Sequence, residues 1–274
     1  MKKRVFLILA VLVLLCGCGR VPAGSGNVQP DNPQTDSIEQ ADERVVVALL
    51  DTGVSTKAIL SSRLLPGYNY VTDSADTEDL INHGTAVASV IMGCESAGVE
   101  GMAQDAYLVP LVVVTRRDGK EDSVSPEILA QAVRDSVDIY GADIINVSLG
   151  VHKDDEALLE AVEYAEEKGV LVVAAVGNDG DGGKPYYPAA YDTVLAVGSC
   201  DADGAKSGFS QSGYDVLAPG EDIRLASRNG KTYGARGTSY ATGFISADAA
   251  NFLLKDSSLT PAQLRERIIQ ENLK

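Results

Sequence analysis

The chain has 274 residues, enough for one large domain or two small ones. Its hydrophobic share of 45% is ordinary for a globular protein, and Trp is absent, so the core has to be assembled from Val, Ile, Leu and Ala. A formal net charge of -16 offers nothing to neutralise phosphates, which excludes nucleic acid as a partner without naming any ligand.

The chain opens with "MKKR", a cationic patch, followed by "VFLILAVLVLL", an apolar run of 11 residues that is too short to span a bilayer comfortably. Next comes "LCGC", with Leu three residues before Cys18 and Gly immediately before it. This stretch resembles the lipobox of bacterial lipoprotein signal peptides, although Cys16 is off pattern at the intermediate position. The resemblance implies a signal peptide over 1–17, lipidation of Cys18 and a chain anchored on the cell membrane facing outward. An ordinary cleaved secretory signal is the alternative. From Gly19 to about Asp42 the sequence is rich in Pro, Gly, Asn, Gln and Asp with little to bury. With Cys18 it reads as a disordered tether over 18–43, with a root-mean-square reach of roughly 25–30 Å.

From Arg44 the pattern changes to alternating strands and helices, so 44–274 is one domain. "VVVALL" and "AYLVPLVVV" are buried-strand runs. "PEILAQAVRDSVDIYG" has apolar residues at helical spacing, Pro126 suited to the first turn and Gly141 just past the end. "DIINVS" is a strand. "DDEALLEAVEYAEEKG" is a helix with acids at its start and Lys168-Gly169 at its end. "VLVVAAV" and "TVLAVGS" are further strands, and "TPAQLRERIIQEN" is a closing helix with Thr260 and Gln263 set for a capping box. Strands apolar on both faces alternating with helices predict an α/β fold, a doubly wound, mainly parallel sheet in three layers. Cys94 and Cys200 lack CxxC spacing, so no metal site is expected, and they either form one disulfide or stay buried and free.

Ligands of such sheets collect at the carboxyl ends of the strands. "LLDTGV" puts Asp51 at the tip of the first strand, where an Asp commonly forms a turn. "NHGTAVASVIMG" puts His83, one of two histidines, at the start of a helix. "VGNDG" puts Gly177 and Asn178 after another strand, and "RGTSYATG" puts Ser239 at a helix start. A small hydroxyl residue there is usually a cap, but a helix N-terminus also favours a developing negative charge. Taken singly, none of these segments decides between cap and catalyst.

Taken together, "DTGV", "HGT.VA", "INVSLG", "GN", "YYPAAYDTVLAVGS", "LAPG" and "GTSYA", in that order, resemble the subtilisin family of serine proteases over about Arg44 to Lys274. The resemblance implies a serine endopeptidase working through an acyl-enzyme. Ser239 would be the nucleophile, His83 the general base and then acid, Asp51 the group orienting the imidazole, and Asn178 an oxyanion donor together with the Ser239 backbone N–H. It makes Ser148, Leu149 and Gly150 the strand that pairs with an extended polypeptide substrate, with Gly177 beside it. It also puts Tyr186, in "KPYYPAAY", at the base of the pocket for the residue preceding the scissile bond. A phenol there shortens that pocket and favours small or medium side chains. A monomer is expected, with no cofactor, and weak structural calcium is left open only at carbonyls of the "CESAGVEGMA" loop.

The tether leaves no room for the folded pro-domain usual in the family, so unaided folding is expected. Gly243 stands where the family usually has Pro, which is expected to loosen the start of the Ser239 helix. His152 reads as a surface residue. A catalytically weak, peptide-binding domain on the same fold is the alternative to the enzyme. A nucleotide-binding protein is disfavoured because no phosphate-binding glycine motif follows the first strand.

Overall fold

Val45 to Leu50 are all buried, and the pleat sends them to opposite sides. Val45, Val47 and Leu49 join one apolar core, while Val46, Ala48 and Leu50 join another. A strand filled in this way belongs in the middle of three layers. The computed structural model, which describes residues 44–117, 120–121 and 124–272, has that arrangement. The expected signal peptide, Cys18 and the tether lie outside the described residues.

The elements begin with β1 (Val46–Asp51), β2 (Tyr68–Asn69) and α1 (Gly84–Met92). A short antiparallel pair follows, β3 (Gly93–Cys94) with β4 (Val99–Glu100), and then β5 (Tyr107–Val112). A second pair, β6 (Arg116–Arg117) with β7 (Lys120–Glu121), leads to α2 (Pro126–Asp138). Then come β8 (Ile144–Val147), α3 (Glu156–Glu167), β9 (Leu171–Ala175), β10 (Leu195–Cys200) and β11 (Val216–Pro219). The antiparallel hairpin β12 (Ile223–Ala226) and β13 (Thr232–Ala235) precedes α4 (Thr238–Lys255) and α5 (Pro261–Asn272).

Seven strands form one sheet in the order β11-β10-β9-β8-β1-β5-β2, with every pairing parallel. The chain leaves β1 through α1 to reach β5 on one side, then crosses back through α2 to β8 on the other. Right-handed crossovers require α1 and α2 to lie on opposite faces when the direction reverses in this way. The two cores bear this out, since α1 and α4 pack into one and α2 and α3 into the other. The direction of winding changes between β1 and β8, and such a point opens a crevice at the carboxyl ends of the strands.

The helix signals act as their residue types dictate. Ser125 caps α2, accepting from Ile128 N at 3.4 Å ahead of Pro126. Asp155 caps α3, accepting from Leu158 N at 3.0 Å. At α5, Thr260 N donates to Gln263 Oε1 at 2.9 Å and Gln263 N to Thr260 Oγ1 at 3.4 Å, the reciprocal pair of a capping box. Gly243 differs from the sequence expectation. It is buried inside α4, and a Cβ there would come within 3.3 Å of Val87 and 3.4 Å of Val90 on α1. Its smallness lets the two helices approach, and it lies beyond the first turn of α4, which starts at Thr238. Cys94 and Cys200 are both buried free thiols, which leaves the disulfide alternative without support.

Candidate active site

Asp51 ends β1 with its side chain fully buried. Its Oδ1 accepts from His83 Nδ1 at 2.7 Å and from Thr52 N at 2.7 Å. Its Oδ2 is buried with no hydrogen-bond partner among the described residues. A carboxylate withdrawn from water in this way interacts strongly with the imidazole it faces. His83 is the N-cap residue of α1, yet its side chain makes no capping bond, so the ring is not spent on the helix.

Beneath it lies a group that the sequence reading missed. Asp79 is fully buried, and its two oxygens accept from five donors. Oδ1 takes Thr52 Oγ1 (2.9 Å), Ile81 N (2.9 Å) and Asn82 N (2.7 Å). Oδ2 takes Thr85 N (2.9 Å) and Thr85 Oγ1 (2.7 Å). Thr52 Oγ1 in turn accepts from Gly84 N at 2.9 Å. This one carboxylate ties the end of β1 to the backbone on both sides of His83. The local signal was an Asp preceding two backbone N–H groups at the spacing of an Asx turn.

Ser239 is not a cap either. Gly237 holds the N-cap position of α4 and makes no side-chain capping bond, which leaves Ser239 one residue into the helix. The buried Ser239 hydroxyl donates to Ser148 O at 2.8 Å, and Ser148 Oγ donates back to Ser239 O at 3.0 Å. Ser148 Oγ accepts from Asn146 Nδ2 at 2.8 Å, and Asn146 Oδ1 accepts from Ser246 Oγ at 2.8 Å. This chain of bonds fixes the start of α4 against the end of β8. Asn178 follows β9, and its Oδ1 accepts from Thr238 N at 3.0 Å and Thr238 Oγ1 at 3.2 Å. With the amide oxygen committed to Thr238, the Nδ2 donors are available to another group.

On the cleft side, Ser148, Leu149 and Gly150 lie just past the end of β8. Beyond them, Val151 and Tyr187 exchange backbone hydrogen bonds at 2.9 and 2.9 Å. Gly177, at φ +111°, adopts a conformation that favours glycine, and the buried Gln211 side chain lies where its Cβ would stand. Gln211 was not singled out from the sequence. Tyr186 touches both walls: Cβ positions built on Gly150 and Gly177 meet its side chain at 2.9 and 3.1 Å. Its hydroxyl donates to Asp179, and burial together with that bond pushes the phenol pKa up to about 12. His152 is exposed, as expected, but its ring meets the Tyr186 ring edge-on at 4.4 Å. Both line a cleft of about 480 Å³ together with Asp179 and Gln211.

In the loop offered to calcium, the Ala97 carbonyl accepts from Arg224 Nη2 at 3.2 Å and from the Thr232 hydroxyl. A guanidinium already stands beside that oxygen. Among the described residues no group of three or more His, Cys, Asp or Glu side chains is gathered to hold a metal ion, and no helix is long and apolar enough to cross a membrane.

Sequence and structure comparisons point one way. The chain is 36% identical over 252 residues to Subtilisin Savinase of Lederbergia lenta, covering 90% of each. It is also 36% identical over 252 residues to an alkaline protease of Alkalihalobacillus alcalophilus, where the match spans 90% of this chain but only 63% of that protein. Among solved structures, sphericase superposes with a TM-score of 0.74 at 29% identity, covering 82% of both chains. A cold adapted subtilisin-like serine proteinase gives 0.71 at 31% identity, covering 82% of this chain and 81% of that one. The sequence profile of the subtilase family matches residues 42–272, which takes in the whole sheet, both cores and every residue of the crevice described above. With likeness in sequence extending through the fold that puts Asp51, His83 and Ser239 at the carboxyl ends of the central strands, the chain belongs to the subtilase family of serine proteases.

Proposed function

We propose that this chain is a membrane-tethered serine endopeptidase acting outside the cytoplasm, and that it hydrolyses polypeptides through Ser239, His83 and Asp51. The observation that carries the reading is the 2.7 Å contact between the fully buried Asp51 and His83, beside the first turn of the helix that bears Ser239. Asp51 keeps the Nδ1 proton in place and stabilises the imidazolium that forms when His83 takes the Ser239 proton. The alkoxide equivalent attacks the scissile carbonyl. The resulting oxyanion meets Asn178 Nδ2, whose orientation Thr238 fixes, and the Ser239 N–H at the positive end of α4. His83 then protonates the leaving amine, and water repeats the sequence on the acyl-enzyme.

Before attack, the Ser239 hydroxyl has to leave the Ser148 carbonyl. An extended substrate laid along Ser148, Leu149 and Gly150 brings its own N–H to that carbonyl and so replaces the serine as donor. The side chain preceding the scissile bond enters between Gly150 and Gly177 and meets Tyr186, so small and medium side chains fit best. The enzyme works as a monomer without a cofactor. Its tether is Cys18, lipidated after removal of residues 1–17, with residues 18–43 as spacer to the domain.

A fluorophosphonate probe is expected to label the purified protein and to fail on Ser239→Ala. A folded wild type that stays unlabelled would leave the peptide-binding alternative. Tyr186→Gly is expected to admit Phe and Tyr before the cleavage point, a change of about 1–3 kcal/mol in discrimination. Cys18→Ala is expected to release the protein from the membrane fraction, and finding the wild type free in the medium would overturn the tether alone.

A further inference from the structure

We propose that Tyr240 and Tyr233 are positioning residues that set the imidazole of His83. The inference rests on the reading of His83 as general base. Rotation of a histidine ring about its second side-chain torsion is only weakly restrained by its own covalent structure, so neighbours have to set it. Asp51 anchors the Nδ1 edge. The ring of Tyr240, the residue after Ser239, lies 5.7 Å from the His83 ring, centroid to centroid, and is tilted by 36°. It is buried, and its hydroxyl stands close enough to that of Tyr233 on β13 for the two phenols to affect each other's ionisation. Tyr233 reaches on to Asn82 O at 3.4 Å, the carbonyl immediately before His83.

Asn82 is held hard on its other sides. It is a non-glycine residue at φ +90°, a conformation that persists only where the surroundings enforce it. Its N–H donates to Asp79 at 2.7 Å, and its Oδ1 accepts from Arg228 N, in the turn of the β12–β13 hairpin, at 2.6 Å. Arg228 Nη1 also donates to Asp79 O at 3.2 Å. The hairpin therefore grips the residue before His83 at two points and braces the tyrosine that walls the ring. Burial raises both phenols above their usual range, with the Asp79 and Asp51 carboxylates adding to the rise at Tyr233, and Tyr233 and Asp51 adding to it at Tyr240. Helix α4 thus delivers the nucleophile and, one residue later, the wall of its base.

The test uses the full chain and compares Tyr240→Ala, Tyr240→Phe and the double variant Tyr233→Phe/Tyr240→Phe with wild type. It reads kcat and KM on a peptide substrate, the thermal midpoint, and the water-exchange rate of the His83 Nδ1 proton by NMR. Tyr240→Ala is expected to lower kcat on the order of 10–100-fold, the cost of a base out of alignment, with KM changed by less than about twofold. Its Nδ1 proton should exchange faster. Tyr240→Phe restores the ring and should recover most of the lost kcat. Wild-type kcat and Nδ1 exchange in a folded Tyr240→Ala would overturn the inference. If that variant does not fold, the double Phe variant decides, because it removes only the two hydroxyls: faster Nδ1 exchange supports the inference and an unaltered rate overturns it. His83→Ala separates the two levels. Wild-type turnover there would overturn the role of His83 itself, whereas an inactive His83→Ala beside an unaffected Tyr240→Ala would overturn this inference only.

Discussion

The two helical layers are made from opposite kinds of helix. On one face, α1 has all nine residues buried and α4 has thirteen of eighteen. On the other, α2 buries five of thirteen and α3 four of twelve, each along one apolar stripe with polar residues facing water. The second pair covers the sheet. The first pair is enclosed, with α1 against β12 and β4 and α4 against α5 and the sheet. The proposed reactive groups, His83 and Ser239, stand at the N-termini of the enclosed pair. Helices enclosed to this extent transmit little independent motion to their ends, as placement of a base within hydrogen-bond reach requires. The exposed layer is free to be ordinary.

Substitutions in the two layers should therefore separate catalysis from stability. The largest effect is expected at the ends of the enclosed helices. Ser239→Ala and His83→Ala should each lower kcat on the order of 10⁶-fold, and Asp51→Asn about 10⁴-fold, while the folded state persists. Turnover close to wild type in a folded Ser239→Ala would end the comparison at once.

Asn178→Ala comes next. It should cost about 2.7–4 kcal/mol of transition-state stabilisation, read as a fall in kcat with KM nearly constant. A rise in KM alone would assign Asn178 to substrate binding.

Between the helices, Gly243→Leu should force α1 and α4 apart and cost about 1–3 kcal/mol in urea unfolding. Glu163→Leu, on the exposed side of α3, should stay within about 0.5 kcal/mol. Equal costs at the two sites would erase the distinction between the layers. The smallest effect is expected at the cap of α3. Asp155→Ala should lose about 1 kcal/mol of stability with kcat intact, the reverse of the Ser239 pattern. A loss of turnover there would mean that the outer layer reaches the site.

The legible part of this protein was the local part. Strands buried on both faces, the stripes of α2 and α3, and the caps at Asp155 and Thr260 follow from periodicity and side-chain chemistry within a few residues. Local rules placed Asp51, His83, Asn178 and Ser239 at strand ends and helix starts, but their roles were readable only through the resemblance of the ordered motifs to the subtilisin family. Its own segment left Ser239 suspended between cap and nucleophile, and the resemblance carried by all the motifs together made it the nucleophile. Only the folded chain showed the cap to be Gly237 and the hydroxyl to be bonded to Ser148, 91 residues away.

The same holds for the carboxylate of Asp79 beneath the base, the Tyr233 hydroxyl reaching Asn82 across 151 residues, and Gln211 under Gly177. Gly243 is a further case, since its reason lies in Val87 and Val90 on another helix. In a parallel sheet, neighbouring strands are joined by crossovers that run the length of a helix or more, so the partners of a side chain at a strand end come from distant segments. Backbone periodicity is settled within one segment and can be read from it. Hydrogen-bond partners and close approaches belong to pairs of segments, and the packing of the layers selects those pairs.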